Sequence, residues 1–600
     1  MTRSAAVLLP LLFLAGAAGA QRPVIAYTLR VDSADLSGYA VEMRIRNAPD
    51  TLRLAMAVHP EYDDRFYRYV EGLTVEGARG PGALTRLDST LWRAVTPGGE
   101  AVVRYRIHLP PGRVDRRQAW VPFLAPTGGL VGELHSFMYL VGAERVPTRV
   151  TLELPQGWDA ATGLEPTSDP RVFLAPTADV LMDSPVLVGK FRTWRFAVDG
   201  VPHRIVYWPL PSAAPFDTAA FVAGVEKLVR QAVALFGRAP WREYTFLYQD
   251  GSFGALEHLN SVSLGAPSAD LARNAAAYFG ETAHEFFHAW NLMRIRPLEY
   301  RDVDYRPQPP VAGLWMSEGF TMFYADLLQR RAGLPMADST RPAHLERLIA
   351  SYLANAGNSH FSAEAVSRVA YNAEPGALGD YDASTHLQGE LIGGMLDLTI
   401  RSATGGRRSM DDVMRLMLER YSGERGFTGL DVEHVVAEVC GCAVKPFFDA
   451  HVRGASPIEF DRYLGLIGLR TRVTSGPMLN NDGSRSIDFR LRAWMPPGDS
   501  ALHLLVAGPE SVWGRAGLHT GDRLVAMNGA RVPSAAEFRA LMGRLKVGDT
   551  VRVEVSRAAG PFRTDVVMTP RERPFVHIEE IPGAGERQRA LRAEWLAGRP

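Results

Sequence analysis

HEFFHAWNLMRIRP, residues 284–297, decides how this 600-residue chain is read. His284 and His288 stand four apart, so on a helix they share one face, about 6 Å from each other. Two imidazoles at that spacing can bind one tetrahedral zinc ion. Glu285, beside the first imidazole, can take a proton from water at such a centre. Ala283, Phe286, Phe287, Ala289 and Trp290 give the segment the setting of a buried helix. A hydrolytic zinc site needs a third protein ligand and an open fourth position. Glu318, in LWMSEGFTMFYADLL (314–328), is the candidate. Ser317 could cap a helix beginning there, which would put Glu318 in its first turn, where the dipole favours a carboxylate.

Composition bounds what surrounds this site. Hydrophobic residues make up 46% and charged residues 22%, which excludes a disordered chain, a collagen-like repeat and a polytopic membrane protein. Lys plus Arg equals Asp plus Glu at 66 each, so no global basic field exists to hold nucleic acid. Arg3 precedes the apolar stretch Ala5–Ala20, which is broken by Pro10 and ends in the small-residue pattern Ala18-Gly19-Ala20. Residues 1–20 therefore read as a secretory signal peptide, and the mature protein is expected to be exported, periplasmic or extracellular. No later run of about 18 apolar residues follows, so no membrane span is expected. Cys440 and Cys442 are separated only by Gly441. A disulfide across one intervening residue is expected to be strained, so buried free thiols are the default expectation.

The polar–apolar period divides the rest. From about 23 to 195 it is two: Val41, Met43 and Ile45 alternate with charged residues, as do Val103, Tyr105 and Ile107. Antiparallel strands in a β-sandwich-like domain follow. Phe221–Phe236 reads as an amphipathic helix, YTFLYQ (244–249) as a strand, and helical patterns dominate from Ala269 to about 465. WGRAGLHTGDRLVAMNGARV (513–532) holds two tight turns around a short strand, and Val551, Val553 and Val555 form a closing strand. The last 30 residues are charged and read as an exposed helix or loose tail.

The W-x-x-E-G-F-T block after H-E-x-x-H resembles the gluzincin metallopeptidases. With H-x-W-N, R-I-x-P and the upstream GALEHLNSVSL (254–264), the pattern is closer still to the glycyl aminopeptidase family, whose members often carry a PDZ domain; A-G-L-x-x-G-D (516–522) resembles a bacterial PDZ signature. The resemblance implies a multidomain α+β chain: signal peptide 1–20, N-terminal β-rich domain 21–195, thermolysin-like α/β zinc-peptidase domain 196–335, helical domain 336–470, PDZ domain 471–572 and tail 573–600. It implies one Zn2+ per chain on His284, His288 and Glu318, Glu285 as general base, and Glu257 as the carboxylate that binds the substrate α-amino group. Peptides are the implied substrates, and a peptide or protein C-terminus is the implied partner at the PDZ domain. The sequence departs from the family where a Tyr-Tyr pair is usual: Thr385 and His386 stand there, and Gln388 replaces a Lys. His386 could stabilise the oxyanion in place of a tyrosine or be a surface residue, and Tyr371 and Tyr381 are alternatives for that task. An exported zinc aminopeptidase is the first reading; a PDZ-containing peptide-binding protein with weak or no turnover is the second.

Overall fold

The computed structural model describes residues 22–58, 65–110, 112–301, 310–371 and 374–599. The expected signal peptide lies outside them. Strands Val24–Arg30, Gly38–Arg46, Glu100–His108 and Thr148–Glu153 are part of an eight-stranded sheet. Its inward side chains are the alternating set: Val41, Met43 and Ile45 are buried while Ala40, Arg44 and Arg46 are exposed. Two four-stranded sheets complete this β-rich region, and Tyr27, Met43, Leu54, Val131 and Val186 share its core.

A five-stranded sheet follows, made of β1 (Arg192–Val198), β2 (Val201–Trp208), β3 (Tyr244–Gln249), β4 (Ala255–Glu257) and β5 (Ser261–Gly265), in the order β1-β2-β3-β5-β4. The pairs β2–β3 and β3–β5 are parallel, while β4 lies antiparallel on the edge. All six residues of β3 are buried, as a central strand covered on both faces requires. One face packs on the β-rich region through Val206, Trp208 and Leu247 against Phe123, Leu130 and Leu187. Helix α1 (Thr218–Phe236) covers the other. The Asp217 side chain accepts from the Ala220 N–H at its start, and Gly237, at φ +79°, closes it.

Helices α2 (Phe279–His288), α3 (Leu314–Arg331), α4 (Arg341–Leu353) and α5 (Thr385–Thr404) build the next layer. A single hydrophobic core runs from Val198 to Leu469, across the expected boundary near 335. Cys440 and Cys442 form a disulfide, which corrects the expectation of free thiols. Gly441 adopts the left-handed conformation at the end of helix Gly429–Cys440 and turns the chain so that the two side chains meet.

The C-terminus is also more ordered than its charge suggests. β6 (Leu469–Pro477) pairs along its whole length with β7 (Glu572–Glu580). Helix α6 (Glu586–Leu596) buries Leu591 and Trp595 against the helical layer. Arg341 donates to the Trp595 carbonyl (2.8 Å) and Arg401 to the Arg599 carbonyl (2.7 Å). A few apolar residues on one face suffice to dock a helix whose other faces are charged. Between β6 and β7 sits a second five-stranded sheet with its own core around Trp513, Leu504, Val553 and Phe538. It grips the loop before α5. Asp380 accepts from the Thr520 N–H (2.6 Å) and faces His519 Nδ1 (2.6 Å), and Arg492 pairs with Asp382 (2.7 Å). Among the described residues no helix is long and apolar enough to cross a membrane.

Candidate metal centre and active site

α2 presents His284 and His288 on one face, as their spacing demands. His288 Nδ1–H donates to the Asn291 carbonyl at 2.8 Å, which turns Nε2 inward, where it can offer a lone pair to a cation once its proton is displaced. That nitrogen lies 3.0 Å from His284 Nε2. Glu318 Oε2 stands 3.5 Å from His284 Nε2 and 3.3 Å from His288 Nε2. A tetrahedron whose corners lie at zinc–ligand distance from its centre has edges of about 3.3 Å. The three donor atoms therefore stand at the separations that one small tetrahedral cation requires. The donor set, two imidazoles and a carboxylate, suits zinc.

Glu318 reaches this point by a different route from the one its sequence suggests. α3 begins at Leu314, so Glu318 lies in the second turn and no acidic residue occupies the first. Ser317 makes no cap, and the N-cap residue is Gly313. What places Glu318 is a close crossing of α3 and α5. A Cβ on Gly319 would stand 2.2 Å from the Gly389 Cα, and one on Gly389 would stand 1.9 Å from the Trp315 carbonyl. Only glycine at both positions lets the backbones approach so closely. The same crossing brings the start of α5 to the centre: His386 Nε2 lies 3.1 Å from Glu318 Oε2. The Tyr371 hydroxyl donates to Glu318 Oε1 at 2.7 Å. Tyr381 is turned elsewhere, stacked on His360 with ring centroids 4.0 Å apart.

The charges are strongly coupled. Burial disfavours a proton on His288, but the neighbouring Glu318 carboxylate outweighs it and raises the imidazole to about 9. Burial likewise opposes ionisation of Glu318, yet His288, His284 and His386 hold it well below the usual carboxylate range. His284 is pushed down to about 4, chiefly by burial and further by His288. Two imidazoles this close in a buried site cannot both be charged.

Two more sets of contacts fix the surroundings, and sequence reasoning assigned them no role. After α2 the chain turns sharply at Leu292, at φ +133°. Asn291 Nδ2 then donates to the Met316 and Ser317 carbonyls (3.0 Å each) and to Thr321 Oγ1 (3.1 Å), locking α2 to the start of α3. Arg294 donates to the Leu259 carbonyl (2.8 Å) and to Asn260 Oδ1 (3.0 Å), tying this turn to the loop after β4. The fully buried His258 sits between Glu133 Oε1 (3.3 Å from Nε2) and Asp183 Oδ1 (3.4 Å from Nδ1), both from the β-rich region. Asp183 also accepts the Leu259 N–H at 2.7 Å. Glu257 is the last residue of edge strand β4, beside α2, and its charge helps to hold the proton on His288. An Asn or Arg just past a helix that carries candidate ligands is a sequence signal for such bracing; Asp183 and Glu133 lie too far along the chain to give one. Glu285 is buried on α2 and, with His284, lines one end of a cavity.

Centres of this make belong to the zinc metallopeptidases, and the chain is one of them. Residues 278–391 match the M61 glycyl aminopeptidase family, 26–190 match the peptidase M61 N-terminal domain and 509–566 match the PDZ domain. Two regions of the chain thus match models of the M61 glycyl aminopeptidase family, and a PDZ match follows the second. Among solved structures it is similar in fold to an aminopeptidase N family protein from Idiomarina loihiensis, at 20% identity and TM-score 0.75 over 96% of this chain and 100% of that one. An M1 zinc metallopeptidase from Deinococcus radiodurans shares 13% identity over 73% of this chain and 95% of that one, at TM-score 0.45. No curated protein sequence matches the chain.

Proposed function

We propose that this protein is an exported aminopeptidase that uses one zinc ion per chain to remove N-terminal residues, small ones in particular, from peptides. The observation that carries the reading is the convergence of His284, His288 and Glu318 at tetrahedral separations, with Glu285 on the same helix and Glu257 on the adjoining strand edge. Zinc held by those three side chains would polarise the scissile carbonyl and make a water more acidic. The protein's own groups do the rest. Glu257 pairs with the substrate ammonium and measures one residue to the scissile bond. Glu285 accepts the proton from water and passes it to the leaving amine. Tyr371 and the buried imidazoles keep Glu318 ionised and oriented. His386 Nε2–H, which faces Glu318 Oε2 in this structure, would turn from that oxygen once zinc occupies it and donate to the oxyanion as the tetrahedral intermediate forms. Export is supported by the apolar stretch of residues 5–20.

The reading is tested by hydrolysis of an alanyl or glycyl peptide beside its N-acetylated form. Cleavage is expected only from the free N-terminus, and Glu257→Gln is expected to raise KM by about tenfold through loss of an ion pair. Comparable cleavage of the acetylated peptide would remove the exopeptidase assignment. His386→Phe is expected to keep its zinc and lose about 100-fold in kcat, the scale of one oxyanion donor. A change in kcat below about threefold would leave His386 a neighbour of Glu318 with no part in stabilising the oxyanion.

A further inference from the structure

A cavity of about 670 Å3 opens beside the centre, with His284 and Glu285 at its inner end. Glu281 lines it too, one helical turn before Glu285 on the same face of α2. Glu257 acts on the opposite end of that helix, where its charge bears on His288. On the aminopeptidase reading, a peptide held by its ammonium at Glu257, with its scissile carbonyl beside Glu285, would send its next residue into the cavity.

Most acids lining the cavity already have cations. Asp326 takes both nitrogens of a fork from Arg330, at 2.8 and 2.9 Å. Asp338 takes Arg347 (2.9 Å) and His344 (3.1 Å), and Glu390 takes His344 (2.7 Å). Glu281 makes no hydrogen bond or ion pair among the described residues, and burial pushes its carboxyl up without a cation to offset it. The wall beside it is apolar, with Ala276, Met322, Ala325 and Met336. An aliphatic stem that ends in a cation would satisfy both features, whereas an acidic side chain would meet Glu281 and Glu285 together.

We infer that this cavity is a subsite for a lysine or arginine side chain at the residue following the scissile bond, its stem against Met322 and Met336 and its charged head on Glu281. The inference rests on the aminopeptidase reading above. It is tested with the tripeptides Ala-Lys-Ala and Ala-Glu-Ala on the zinc-loaded full chain. The ratio of their kcat/KM values is expected to favour lysine by about tenfold or more. Glu281→Gln should bring the ratio towards one, and Glu281→Lys should invert it. A wild-type ratio within about twofold of one, or a ratio unchanged in both variants, overturns the subsite. So does a Glu281-dependent preference for lysine at the first residue rather than the second. Calorimetric binding of the same peptides to Glu285→Gln separates this claim from the one beneath it. Tighter binding of the lysine peptide, lost with Glu281→Gln, supports the subsite even if no peptide is turned over, an outcome that would sink the peptidase reading alone. Turnover without that preference sinks the subsite and leaves the peptidase reading in place.

Discussion

Glu285→Gln is expected to retain its zinc and to lose about a thousandfold in kcat on an alanyl anilide. The amide keeps the size and shape of the carboxylate, so packing of the buried side chain on α2 is preserved. What it loses is basicity. A positioned general base contributes on the order of 100- to 10,000-fold, and a thousandfold loss corresponds to about 4 kcal/mol in the barrier. The three proposed donors, His284, His288 and Glu318, are untouched. Metal content by atomic emission and steady-state kinetics on the same preparation check the result. Activity near that of the wild type would refute the base assignment. Loss of the metal together with activity would show instead that Glu285 helps to hold the ion.

Glu318→Ala is expected to abolish activity and leave the protein unable to retain zinc through gel filtration, because two imidazoles alone are a weak site for the ion. A second readout does not depend on turnover. In zinc-free protein the His288 imidazole rises to about 9, against an ordinary value near 6.5, because Glu318 faces it. A raised histidine stabilises the folded state fully below its unfolded value, and that contribution fades as pH climbs through the folded value. Counted once, on the histidine, the pair contributes about 2 to 3 kcal/mol at pH 7. Chelator-treated Glu318→Ala should therefore melt below the chelator-treated parent at pH 7. The gap should narrow above pH 9, where His288 is neutral and the parent's buried carboxylate loses its partner. Equal melting temperatures at pH 7 would show that the pair is not formed without metal.

Much of the site was legible because its spacing is a property of one helix. His284, Glu285 and His288 need only an α-helix to stand together, and their apolar flanks ensured one. The β-rich region declared itself in the same way, since a period of two is visible wherever one face of a sheet is buried. Glu318 is singled out as a proposed ligand by its motif, but it lies in the second turn of α3 and not in the first, where the dipole would favour it. The disulfide between Cys440 and Cys442 was missed because the left-handed turn at Gly441 sets their approach, and spacing alone does not report it. A C-terminal helix was one of two expectations, but its docking was not foreseen, because Leu591 and Trp595 are few among many charges and what they bury against lies more than 100 residues earlier.

From its residues alone this protein's α+β character could be derived and its proposed ligand pair and base singled out, because each depends on a local period or on the chemistry of a side chain. The tertiary structure alone decided how the distant pieces close. The glycine contact between α3 and α5 sets Glu318 and His386 side by side, Asn291 and Arg294 brace the turn beneath them, and Asp183 reaches from the β-rich region to the loop after Glu257. Separations of this kind come from packing between elements, which no window along the chain encodes.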